Sequence, residues 1–204
     1  GGGGLATTPI IDYRAYSDDR ENGDVHVRYH SFSIRERLRK ANGRTDNHVM
    51  LVEDDRHGLY SSQSSVLQKA LAEMDQWLDN LSEDQTSDPL IDRVVRAKPA
   101  TLVDSCWSRD QTPIQIKETQ VRGGGRCEEL YPSAPSPREV AGGPLAADIV
   151  KCQLKPVDFN DYAATFNETD ALRLRKIFAG GVCDWTQAGE GQTALKGSWL
   201  RFGN

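Results

Sequence analysis

His48-Val49-Met50-Leu51-Val52, the loop Glu53-Asp54-Asp55-Arg56-His57-Gly58 and the patterned run from Ser64 to Leu81 together decide the fold. A short, largely apolar run that ends in a polar, glycine-containing loop reads as a strand buried on both faces. Beyond the loop, Leu67, Ala70, Leu71, Met74, Trp77, Leu78 and Leu81 form the stripe of an amphipathic helix, with Ser64 or Ser65 as its N-cap. The same unit precedes it. Thr8-Pro9-Ile10-Ile11 opens an apolar run, Ser17 to Asp24 forms a polar loop, and Val27, Ile34, Leu38 and Ala41 recur at helical spacing up to the stop at Asn42-Gly43. Strand, helix, strand and helix with short connections predict an α/β fold of parallel strands with helices packed on them. Two parallel strands cannot cover their own edges, so the rest of the sheet is expected upstream of Gly1. The start Gly-Gly-Gly-Gly-Leu, without Met, reads as the trimmed or processed end of a fragment.

The pattern changes near residue 85. Val94-Val95 and Ala100-Thr101-Leu102-Val103 read as short strands, and Gly123-Gly124-Gly125 and Pro132-Ser133-Ala134-Pro135-Ser136-Pro137 as punctuation. Leu174, Ile177 and Phe178 form the stripe of a short helix between Thr169-Asp170 and Gly180-Gly181. Residues 1–85 are therefore expected to be strands and helices of the core, and 86–204 an irregular extension that wraps it within the same domain.

Cys106, Cys127, Cys152 and Cys183 all lie in that extension, and their spacing fits no CxxC zinc pattern. We read them as two sequence-local disulfides, Cys106–Cys127 and Cys152–Cys183, which places the chain in an oxidising compartment, secreted or periplasmic. Four reduced cysteines, two of them buried, are the alternative. The formal net charge of −5 over 204 residues argues against general nucleic-acid binding, and no apolar window is long enough to span a membrane.

His57 follows a buried strand and precedes an amphipathic helix. In open α/β sheets, reactive groups gather at the carboxyl ends of strands, and an α/β-hydrolase keeps its general base in such a loop. The acid that orients the imidazole comes after the preceding strand. Asp18, in Tyr16-Ser17-Asp18, is the first choice and Asp24, in Gly23-Asp24-Val25-His26, the runner-up. Asp12, Asp19, Asp54 and Asp55 read as solvated charges. No G-x-S-x-G is present, and Ser61, Ser62, Ser64 and Ser65 read as capping and surface residues. The nucleophile is expected on a missing or separate N-terminal segment of the same precursor. His26 and His30 have a spacing that can hold zinc on a helix, but no H-E-x-x-H surrounds them, and neither metal nor cofactor is expected. Arg35, Arg37, Arg39, Lys40 and Arg44, interrupted by Glu36, read as a solvated helix face.

Ile10-Ile11-Asp12-Tyr13-Arg14, Gly23-Asp24-Val25-His26, Arg35-Glu36-Arg37-Leu38 and Asp46-Asn47-His48-Val49 resemble the C-terminal part of an uncharacterised bacterial α/β-hydrolase-like family, distantly similar to tannase and feruloyl esterase. In the tail, Lys151-Cys152-Gln153-Leu154-Lys155-Pro156, Asp158-Phe159, Asp161-Tyr162, Ile177-Phe178 and Gly181-Val182-Cys183-Asp184-Trp185 carry the likeness further. The resemblance implies an α/β-hydrolase sheet and a serine nucleophile upstream, acting on a small-molecule or polymeric carboxylic ester. The rival reading is a non-enzymatic module whose cysteine-rich tail binds carbohydrate or protein through Trp107, Trp185, Trp199, Tyr131 and Tyr162.

Overall fold

The computed structural model describes residues 2–193. Its main sheet has four strands in the order β1-β2-β3-β4: β1 Ile10–Tyr16, β2 His48–Asp54, β3 Ser105–Trp107 and β4 Gln115–Lys117. β1 and β2 run parallel in register from Ile10 opposite His48 to Tyr16 opposite Asp54. β3 adds to β2 in parallel, and β4 returns antiparallel on β3. The expected strands at 94–95 and 100–103 are corrected. Val94 and Val95 lie in helix α3, Leu90–Ala97, where Leu90, Ile91, Val94 and Val95 give it an apolar side. Leu102 is buried in the turn that leads to β3. Two of the sheet's strands thus come from downstream of the first two, not from upstream. β1 forms the other edge, and no strand lies beyond it among the described residues.

Residue alternation along the strands sorts the two faces. Val49 and Leu51 of β2, with Ile11 and Tyr13 of β1, pack against Val66, Ala70 and Trp77 of α2, Ser65–Glu83, and against Val94 and Ala97 of α3. Trp77 is fully buried and its Nε1 donates to the Val94 carbonyl at 2.7 Å, which fastens the two helices together. The stripe expected on α2 is narrower than its sequence suggests, because Leu71 and Leu78 are 64% and 49% exposed. On the opposite face lie Tyr16, Val52 and Cys106 with Cys127, Tyr131 and Leu130 around α4, Arg126–Leu130. Helix α1, Tyr29–Asn42, covers the rest of that face and is stopped by Gly43, whose φ of 73° satisfies a left-handed cap.

α1 is a solvated basic face only in part: Arg39 and Lys40 are exposed, whereas Arg35 and Arg37 are turned into the fold. Arg35 makes a fork with Asp104 and bonds His48, while Arg37 donates to the Ala146 and Ala147 carbonyls and Lys40 pairs with Asp148. These contacts bind the 146–148 segment onto the helix. A second tie is the buried Arg28, which bonds Glu128, the Tyr131 carbonyl and Gln120.

Both expected disulfides form, Cys106–Cys127 and Cys152–Cys183. The first lies in the core under the sheet. The second closes the tail, where β5, Gln153–Lys155, pairs antiparallel with β6, Val182–Asp184, across helix α6, Glu168–Ile177. A four-residue helix α5, Pro137–Val140, capped by Ser136 and Glu139, precedes the tail. No helix among the described residues is long and apolar enough to cross a membrane.

Candidate active site

Because β1, β2 and β3 are parallel, the loops that follow them meet along one edge of the sheet, residues 17–26, 54–60 and 108–111. Ion pairs staple these loops together. Arg20 from the first loop donates to Asp55 in the second at 2.7 Å. Arg109 from the third reaches Asp19 in the first at 3.0 Å, and Arg56 pairs with Asp54 while donating to the Gln111 carbonyl at 3.4 Å. Asp19 and Asp55 are thus solvated as expected but ion-paired, and Asp54 is paired and mostly covered. Asp12 lies within β1, with Oδ2 facing His48 Nε2 at 3.8 Å. Arg109 also lies over the rings of Tyr16 and Tyr131, with centroid distances of 5.1 and 4.8 Å. Burial pushes both phenols up to about 12, so they stay protonated and donate to the Pro132 and Trp107 carbonyls. Sequence reasoning missed these arginines. Their one local signal is the alternation of Asp and Arg just after each strand.

Asp18 stands at the carboxyl end of β1. Its Oδ1 accepts from the Arg28 amide at 2.8 Å, and its Oδ2 is buried without a hydrogen-bond partner among the described residues. Burial raises its carboxyl above the usual range, and the Arg28 amide, the charges of Arg14 and Arg28 and the nearby Ala134 amide offset this only in part. His57 is exposed in the turn after β2, and its ring makes no hydrogen bond among the described residues. The turn is tight. Gly58 donates to the Asp55 carbonyl at 2.7 Å with φ at 78°, and Tyr60 adopts φ of 56°, a left-handed conformation that costs a bulky residue about 1 kcal/mol or more.

Asp24 is fully engaged. Its Oδ1 accepts from the His26 amide at 2.7 Å and sits 2.6 Å from His26 Nδ1, while its Oδ2 takes Arg20 at 2.9 Å. The His26 hydrogen bonds hold this carboxyl below the usual range. The structure thus forms an acid–imidazole pair within the first loop, and it leaves Asp18 and His57 on neighbouring loops without a bond between them.

Ser64 caps α2 by accepting from the Leu67 amide at 2.9 Å. It also bonds the buried Glu53, which takes the Tyr13 hydroxyl at 2.7 Å. These hydroxyls are structural partners of a buried carboxylate at the end of β2. Among the described residues, no group of three or more His, Cys, Asp or Glu is placed to hold a metal, and His26 and His30 do not converge on one. Of the aromatic side chains considered as binding platforms, Trp107 and Tyr131 are buried in the core and are corrected to packing residues. Tyr162 is exposed and Trp185 half-buried in the tail, and Trp199 lies outside the described residues.

A family model described as a tannase-like family of unknown function (DUF6351) matches residues 1–194. No curated protein and no solved structure matches the chain.

Proposed function

This chain belongs to that tannase-like family, and from this premise we propose that it is the C-terminal part of an α/β-hydrolase that cleaves carboxylic esters through an acyl-enzyme. In this reading His57 is the general base and Asp18 its orienting acid. The serine and the oxyanion donors lie on an N-terminal segment of the same precursor. The substrate is a small-molecule or polymeric ester, and the two disulfides support export to an oxidising compartment.

The observation that carries the assignment is the unpartnered Oδ2 of Asp18, at a strand end one loop away from His57. A buried carboxylate oxygen without a donor suits an acid whose partner is an imidazole N–H. In this reading the exposed His57 ring turns toward the end of β1 to supply that donor. Asp24 has no such vacancy. The formed Asp24–His26 pair supports a second reading in which the base is His26, an exposed ring whose carboxylate is already in place.

The test uses the complete protein with p-nitrophenyl acetate and a fluorophosphonate that labels reactive serines. His57→Ala is expected to lower kcat by roughly 10³-fold or more with labelling reduced in parallel. Full activity in His57→Ala together with loss in His26→Ala moves the base to the first loop. Absence of both hydrolysis and labelling in the wild type refutes the ester hydrolase.

A further inference from the structure

From Lys151 to Thr193 no hydrophobic side chain is buried. The tail instead turns its apolar residues toward a cleft of about 770 Å³ between α5, the β5–β6 pair and α6. Its walls are Trp185, Tyr162, Phe166, Phe178, Leu154 and Val182. Trp185 is fixed in place, because its Nε1 donates to the Ala141 carbonyl at 2.7 Å and its ring edge abuts Gly142, where an added Cβ would stand 3.4 Å from it. Tyr162 and Phe166 meet edge to face with centroids 5.6 Å apart. None of the residues of the strand-end loops lines this cleft.

The polar groups on the walls restrict the ligand. Lys155 is paired with Asp161 at 2.8 Å, and Glu139 is paired with Arg122 and accepts from the Ser136 amide. Thr186 donates to Asp184 at 2.6 Å. Each charged side chain is already neutralised within the chain, so a charged ligand would have to break an existing pair. The Tyr162 hydroxyl is the one side-chain donor of the cleft without a partner among the described residues. A sugar needs several directed polar contacts, and this wall does not offer them. The volume falls in the range of small-molecule sites, and aromatic walls with a single polar handle suit flat apolar ligands.

We propose that this cleft binds an uncharged, mainly aromatic ring compound bearing at most one acceptor, stacked against Trp185 and Phe178 and oriented by the Tyr162 hydroxyl. The site is separate from the strand-end loops and does not depend on the ester-hydrolase reading.

The test titrates the full chain with N-phenyl-1-naphthylamine, an uncharged ring probe whose emission rises in apolar surroundings. Saturable enhancement with one site per chain is expected, together with energy transfer from tryptophan. Leu154→Glu places a charge on the wall at a residue 61% exposed, and Leu172→Glu places one on α6 outside the cleft at a residue 60% exposed. Leu154→Glu and Phe178→Gln are expected to weaken binding at least tenfold, and Leu172→Glu to leave it unchanged. Circular dichroism and an intact Cys152–Cys183 link confirm that the variants are folded. Non-saturable enhancement, or equal loss in Leu154→Glu and Leu172→Glu, overturns the proposal as adsorption to exposed apolar surface. A dimer in sedimentation that Leu154→Glu dissolves, with no probe bound, overturns it in favour of a second copy on this face.

Discussion

Replacing Cys152 and Cys183 together by serine should release the tail while leaving the main sheet intact. The link closes a loop of 31 residues in sequence separation. Loop-closure entropy for that length comes to about 3.7 kcal/mol at 25 °C. Nothing else in the tail matches this. It buries no hydrophobic side chain after Ile149, and its two strands of three residues each form a ladder that is marginal by itself. Native-state hydrogen exchange reads the outcome residue by residue. In the double serine variant the amides of Gln153–Lys155 and Val182–Asp184 should lose roughly 10²–10³-fold in protection, or reach the unprotected rate if they hold less than that to begin with. The amides of Val49 to Val52 should keep theirs, because β2 is paired on both sides by β1 and β3. Undiminished protection in β5 and β6 would show that packing and not the cross-link holds the tail. Loss of protection in β2 as well would show that tail and sheet unfold as one unit.

Trp77→Ala should cost about 3–5 kcal/mol by urea denaturation, because it empties the centre of the α2–α3 contact. Trp77→Phe should cost less and reports the Nε1 bond to Val94. Burial alone would raise the Asp104 carboxyl, but the Arg35 fork and the Met50 and Gln120 amides more than offset it and hold it below the usual range. A carboxyl depressed in the folded state contributes stability above its unfolded value of about 3.9, which is lost as pH falls through the folded value. The wild-type urea midpoint should therefore drop more steeply from pH 5 to pH 2 than that of Asp104→Asn, and equal slopes would refute the pairing. Asp18 has the opposite sign, since its raised carboxyl contributes stability below the unfolded value that is lost as pH rises. Asp18→Asn, which can still accept from the Arg28 amide, should be as stable as wild type or more so at pH 7. If Asp18 is the orienting acid proposed above, the same variant should lose roughly 10³–10⁴-fold in kcat on an ester substrate, and full activity would refute that role.

The parts of the fold that repeat along the sequence were legible in it. β1, β2 and α2 announce themselves by their apolar patterns and α1 by its stop at Asn42-Gly43, although Val27 precedes that helix and of Ile34, Leu38 and Ala41 only Leu38 is buried; of the two serines offered as the cap of α2, Ser64 takes the role. Both disulfides are the sequence-local pairings preferred over reduced cysteines, a choice the spacing favours without fixing. α3 was not legible, because a Val94-Val95 pair carries β propensity while the helix is one apolar side laid against Trp77. β3 and β4, three residues each, have too few positions to show any alternation. Of the candidate site, what was legible is which loops lie side by side. Strand ends told which segments meet, but the arginines that staple them pair across 35 to 90 residues, beyond the reach of any local pattern.

The closure of the β1 end has a kinetic consequence. Arg28 finds Glu128 at a sequence separation of 100, and Tyr16 finds the Pro132 carbonyl at 116. Contacts that far apart are slow to form, because the chain must surrender loop entropy before they reward it. β1 and β2 with α1 between them can pair early, whereas Asp18 acquires its buried setting only when the Cys106–Cys127 hairpin docks. An oxidant that mispairs Cys127 during refolding would therefore yield a chain with its strands in place and Asp18 still solvated.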